Sequence, residues 1–171
     1  MRLLEQQHVV MVLPPHDLNG AAHTTDYVSL KNWQHCTFLI IRGLETAGGD
    51  SDLVVRAADD VAPSHTADLA TLKFRTSGVV EVSDAWAAEI VVTDSKLDYV
   101  AAGDFVPDTT ENSMVAIEVD AAAVKAASST YAMDCVALVI PDPGQAAVWG
   151  VIAILSGPRY AGASMPTAIT D

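Results

Sequence analysis

The residues with the widest chemical range in this chain are its five histidines, His8, His16, His23, His35 and His65. None forms an H-x-x-x-H pair, and none couples with cysteine at zinc-finger spacing. His16 and His23 fall in one turn-rich stretch with Asp17 and Asp26, a donor set that would suit a metal ion held by a loop. Solvated loop histidines are the simpler expectation. His35 directly precedes an apolar run and is expected at its exposed entry. In "GGDSD", Asp50 and Asp52 stand two apart like the opening of a calcium loop. Val61 occupies the twelfth position, where that loop needs a bidentate acid, so the stretch reads as a turn with polar tips.

Nucleophilic chemistry finds no frame. There is no G-x-S-x-G elbow and no phosphate-cradling glycine loop, and Ser29, Ser83 and Ser156 lie in or beside strand-like runs without a base in a distinguishing context. Asp59 and Asp60 form an acid pair with no partner legible in sequence. Cys36 in "HCTFLII" and Cys135 in "DCVALVI" sit inside apolar runs, where a free thiol behaves as a small hydrophobe. Two cysteines exclude a disulfide framework and a four-cysteine zinc site. The expectation is therefore a non-enzymatic protein with no catalytic residue, cofactor or metal. Trp33 and Trp86 lie in turn-rich contexts and are the candidates for a glycan-stacking platform, whereas Trp149 lies mid-strand and belongs to the core.

The elements that would position these residues are strands. Period-2 alternation and β-branched runs, bounded by Gly, Pro, Asp and Asn, predict strands at His8–Leu13, Tyr27–Lys31, Cys36–Arg42, Leu53–Ala58, Ala70–Thr76, Glu89–Thr93, Met114–Val119, Cys135–Ile140 and Ala147–Leu155. So many short strands imply an all-β fold, a two-sheet sandwich or a jelly-roll-like barrel. One short helix is predicted near 120–128, where Asp120 is an N-cap candidate before "AAAVKAAS". Longer loops are expected at Pro14–Asp26, Gly43–Asp52, Asp59–Asp68 and Ala101–Ser113. Residues 1–157 read as one sandwich domain. Residues 158–171, "PRYAGASMPTAITD", read as an extended C-terminal arm, since proline removes a donor and turns its predecessor away from helix.

Composition narrows the partners. Nine Lys plus Arg against 22 Asp plus Glu give a formal charge of -13, which repels a phosphate backbone, so no nucleic-acid partner is expected. The N-terminal apolar stretch is interrupted by Glu5, Gln6, Gln7 and His8, so no signal peptide is expected. The longest apolar run, Ala146–Leu155, is about half of the ~20 residues that span a bilayer, so no membrane partner is expected either. Free thiols fit a reducing cytoplasm.

Two phrases, "DYVSLKNWQHCTFLIIRG" from Asp26 and "CVALVIPDPGQAAVWGVIAILSGPRYAGASMPTAITD" from Cys135, carry a family likeness. The first is a D-Y-V-S-L-K-N phrase leading into a strand. The second joins a D-C-V strand, a P-D-P-G turn and a final strand closing on S-G-x-R-Y. In these the chain resembles small virion structural proteins of tailed phages. The resemblance spans both ends of the chain and not its middle. It implies a head decoration, or cement, role: a β-rich subunit, assembled in the host cytoplasm, that binds the outer capsid surface and ties neighbouring major capsid proteins together. A homo-oligomer, with a trimer favoured, would suit a capsid lattice. Arg159, Tyr160 and Met165 of the arm, with Arg2 and Leu3 at the other end, are the candidate capsid or subunit contacts. The alternative is a phage surface or tail-associated sandwich that recognises host glycans through Trp33 and Trp86.

Overall fold

The run Trp33–Glu45 sets the architecture, because its alternation separates two faces. Cys36, Phe38, Ile40 and Arg42 are buried, while His35, Thr37, Leu39 and Ile41 between them point outward. A computed structural model describes residues 7–45, 52–77, 85–93, 96–97, 113–144 and 146–158.

Among these, the strands in chain order are β1 (His8–Asp17), β2 (His23–Thr24), β3 (Val28–Ser29), β4 (Trp33–Glu45), β5 (Leu53–Ala58) and β6 (Thr66–Asp68). They continue with β7 (Leu72–Thr76), β8 (Ile90–Val92), β9 (Lys96–Leu97), β10 (Ser113–Asp120), helix α1 (Ala121–Ala126), β11 (Cys135–Ile140) and β12 (Ala147–Pro158). The first sheet has the order β1-β12-β4-β10-β7-β8. The second has the order β2-β11-β5-β6, with β3 on β11 and β9 on β5. Every pairing is antiparallel, and the two sheets pack face to face as a β-sandwich.

Between the layers, Phe38, Ile40, Phe74, Ile117 and Trp149 of the first sheet meet Val55, Val136, Leu138 and Ile140 of the second in one buried cluster. Each such side chain contributes about 1.5–3 kcal/mol relative to exposure. Arg42 is buried with them, its guanidinium carbon 5.6 Å from the Trp149 ring centre. Helix α1 closes one end by burying Ala121 and Val124. It is too short to form alone and depends on that packing. Asp120 stands at the N-cap position, yet its carboxylate makes no cap hydrogen bond and bonds His35 instead.

Several boundaries differ from the sequence reading. The stretch read as a loop from Pro14 to Asp26 contributes the end of β1 and all of β2. Pro14 and Pro15 are tolerated in β1 because it is an edge strand, and the register slips between Leu13 and His16. Thr66–Asp68, also read as loop, forms β6, while only Val28–Ser29 of the strand predicted at Tyr27–Lys31 is paired. β12 runs on to Pro158, the residue at which the arm was expected to begin. The rest of that arm, and the loop expected at Ala101–Ser113 up to residue 112, lie outside the described residues. Among the described residues, no helix is long and apolar enough to cross a membrane.

Candidate docking face

The outward positions of the first sheet line up by register. One row runs Met11–Ile152–Leu39–Ala116, and the next runs Val9–Ile154–Thr37–Glu118–Lys73. Ile41, opposite Met114 and Gly150, extends the apolar part along β4, and Val148 lies further along β12. Met11 is 58% exposed, Val148 45%, Ile41 43% and Val9 38%, while Leu39, Met114, Ile152 and Ile154 are half-buried. The face is thus apolar over β1, β12 and β4 and turns polar towards β10 and β7.

The polar margin is ordered. His35 faces a carboxylate acceptor at each ring nitrogen: Nδ1 lies 3.0 Å from Asp120 Oδ1, and Nε2 meets Glu118 Oε2. Thr37 Oγ1 donates to the same Glu118 oxygen at 2.9 Å. The hydrogen bond to Glu118 raises the His35 pKa above its ordinary value, against the opposing effect of burial, and Asp120 adds to the rise. The same bond lowers the Glu118 carboxyl, helped by Thr37. An apolar centre with a polar, hydrogen-bonded margin is the anatomy of a protein interface.

The opposite side of the sandwich is different. The outer face of the second sheet has a shallow, open depression of about 470 Å³ lined by Asp52, Val54, Arg56, Asp68, Lys96 and Val139, among others. Its charges pair with one another, Arg56 Nε with Asp68 at 2.6 Å and Lys96 Nζ with Asp52 at 2.8 Å. Such a face is suited to water.

Of the residues singled out from sequence, Trp33 is only 2% exposed and offers no stacking face, which corrects its place in a glycan platform. A tryptophan next to a turn can equally seal the end of a sandwich, and Trp33 belongs to the buried cluster. Trp86 is 40% exposed, bridged to Ser77 just past the end of β7. Arg2, Leu3, Arg159, Tyr160 and Met165 lie outside the described residues. His8 pairs with Leu155 and β12 ends at Pro158, so the described start of β1 and the described end of β12 lie at one end of the β1–β12 pair, near Val9 and Ile154.

The structure brings His16 and His23 together, Nε2 to Nδ1 at 3.2 Å, without Asp17 or Asp26 joining them. His65 is held by Asp59 at 2.7 Å and stacks on Tyr131, ring centres 3.6 Å apart. Cys36 and Cys135 are buried and not joined in a disulfide, and burial pushes the Cys36 thiol pKa far up. Asp50 lies outside the described residues, among which no group of three or more His, Cys, Asp or Glu side chains is arranged to hold a metal ion.

The apolar face itself was missed in sequence, although a signal for it exists. Strands covered on both faces read as continuous apolar runs, whereas strands with one wet face alternate. "CTFLII" and "VWGVIAIL" read as continuous, yet in this chain one of their two faces is open. No family model, curated protein or solved structure matches the chain.

Proposed function

We propose that this chain is a non-enzymatic virion structural protein that decorates the outer surface of a tailed-phage capsid. In this reading the outer face of the first sheet seats on neighbouring major capsid subunits. The observation that carries it is the mismatch just described: β4 and β12 have the composition of strands covered on both faces, and Met11, Ile41 and Val148 stand exposed on one of them. The phage-like phrases at the two ends of the sequence supply the identity of the partner. The ion-paired face of the second sheet, on a chain of formal charge -13, suits the side turned to solvent.

The work done is thermodynamic. A subunit that binds the assembled shell and not free capsid protein adds its binding free energy to shell stability by mass action. A homo-oligomer, with a trimer favoured, multiplies modest contacts into avidity. The described ends of β1 and β12, beyond which Arg2, Leu3, Arg159, Tyr160 and Met165 lie in the sequence, are next to the apolar face.

Co-sedimentation of the purified protein with undecorated capsids tests this reading. Saturable binding with a measurable gain in capsid heat resistance is expected. Retention on host glycans through Trp86, without capsid binding, would replace it with the recognition module.

A further inference from the structure

We propose that His16 and His23 form a two-imidazole site for a divalent transition-metal ion of the copper, nickel and zinc group. The site lies at the corner where the first sheet passes into the second, and it is independent of the docking reading.

His16 belongs to β1 of the first sheet and His23 to β2 of the second. The chain turns between them through residues 18–22. His16 Nε2 and His23 Nδ1 are 3.2 Å apart. Two nitrogens held by one ion at ~2.0–2.1 Å in tetrahedral array lie about 3.3 Å from each other, so both can bind with a shift of tenths of an ångström. The ring centres are only 4.6 Å apart, with the planes inclined at 68°. That is closer than an in-line bond between two imidazoles would leave them, so the rings are folded towards each other about the nitrogen pair.

A second contact sets the tautomer. His16 Nδ1 lies 2.7 Å from the Pro14 carbonyl, which can only accept, so Nδ1 carries the proton and Nε2 presents its lone pair. A backbone carbonyl holding the remote nitrogen is the usual outer support of a metal-binding histidine. His23 can donate Nδ1–H to that lone pair, or carry its proton on Nε2 and turn the Nδ1 lone pair to an ion. Binding therefore needs only a tautomer change at His23.

The corner is braced on both sides, so the geometry is set before any ion arrives. Leu18 is fully buried, and its N–H donates to the Ala147 carbonyl at 2.9 Å. The Asp17 carboxylate accepts the N–H groups of Asn19 and Ala147, both at 3.1 Å. Asp142 accepts those of Gly20 at 3.1 Å and Gly144 at 2.8 Å. Both histidines are half-buried, which leaves the nitrogens reachable. Imidazole suits zinc, copper and nickel, and the order of affinities places Cu²⁺ first. Two protein ligands leave the remaining positions to water, so the ion exchanges. By joining the two sheets it stabilises the folded chain.

The test is titration of the full chain with Cu²⁺, followed by electron paramagnetic resonance, and a melting series with Zn²⁺. One Cu²⁺ per chain with two coupled imidazole nitrogens is expected. His16→Gln and His23→Gln should each weaken binding by about tenfold or more and abolish the Zn²⁺-dependent rise in Tm, while His8→Gln and His65→Gln change neither. Metal-free melting of each variant establishes that it folds, and the resonance spectrum of the unaltered chain stands without any variant. Absence of saturable binding, a copper signal without imidazole coupling, or affinity unchanged in both His16→Gln and His23→Gln would leave a plain hydrogen-bonded pair and overturn the site.

Discussion

Met11 of β1 and Ile152 of β12 stand directly opposite each other, and both side chains face away from the core. A paired, outward apolar row of this kind gains little for the isolated chain, about 0.2–1 kcal/mol for each cross-strand pair. Substitution there should therefore separate stability from binding. Met11→Lys, on an edge strand that tolerates charge, should change the unfolding free energy by no more than about 0.5 kcal/mol. Ile41→Lys, in a central strand, should cost about 1 kcal/mol or less. Urea denaturation checks both, and each variant should lose capsid binding while remaining folded.

Gly150 is fixed by contact. A Cβ there would come 2.8 Å from Pro15 Cγ, because β1 lies close over β12 at the register slip. Gly150→Ala should destabilise the chain by about 1–3 kcal/mol through overpacking. Adding Pro15→Ala should recover part of that loss. A double-mutant cycle by urea denaturation gives the coupling, and strict additivity would count against the contact.

The His35–Glu118 pair makes stability depend on pH. The His35 pKa is raised from its usual 6.5, so its contribution is fully present below 6.5 and is lost as pH rises through the raised value. The Glu118 pKa is lowered from 4.5, so its contribution is present above 4.5 and is lost as pH falls through the lowered value. Both hold together between about 4.5 and 6.5. The difference between the unaltered chain and His35→Gln should peak in that window, at about 1 kcal/mol or less, because both side chains remain near 30% exposed and water screens them. Urea midpoints from pH 4 to 9 check it. A difference that grows steadily above pH 7 would exclude the pair as its source.

Cys36 and Cys135 are fully buried, with the Cys36 thiol held protonated by its surroundings. A thiol reagent should label the chain at the rate of unfolding, independent of reagent concentration once that is high. First-order labelling of the folded chain in proportion to reagent would show that one thiol is reachable.

The layered fold was legible because alternation and β-branched runs are local signals. Leu53–Ala58 and Cys135–Ile140 are read to the residue. The short strands β2, β6 and β9 were not, since two or three residues carry no period and exist only because β11 or β5 offers an edge. The meeting of His16 with His23 depends on a corner whose geometry is set by Asp17 and Asp142, the latter far along the chain. The docking face was hidden for another reason. Apolar residues on both sides of β4 and β12 erase the alternation that would have marked one side as wet, and only the exposure of Met11, Ile41 and Val148 in the folded chain shows that side to be open.

The most direct measurement is co-sedimentation with undecorated capsids of three forms: the unaltered chain, Met11→Lys/Ile41→Lys, and Arg56→Ser/Asp68→Ser on the opposite face. All three should be folded by urea denaturation. The unaltered chain and the Arg56/Asp68 variant are predicted to pellet with capsids equally, and the Met11/Ile41 variant to stay in solution. Equal pelleting of all three, or none by the unaltered chain, would contradict the account.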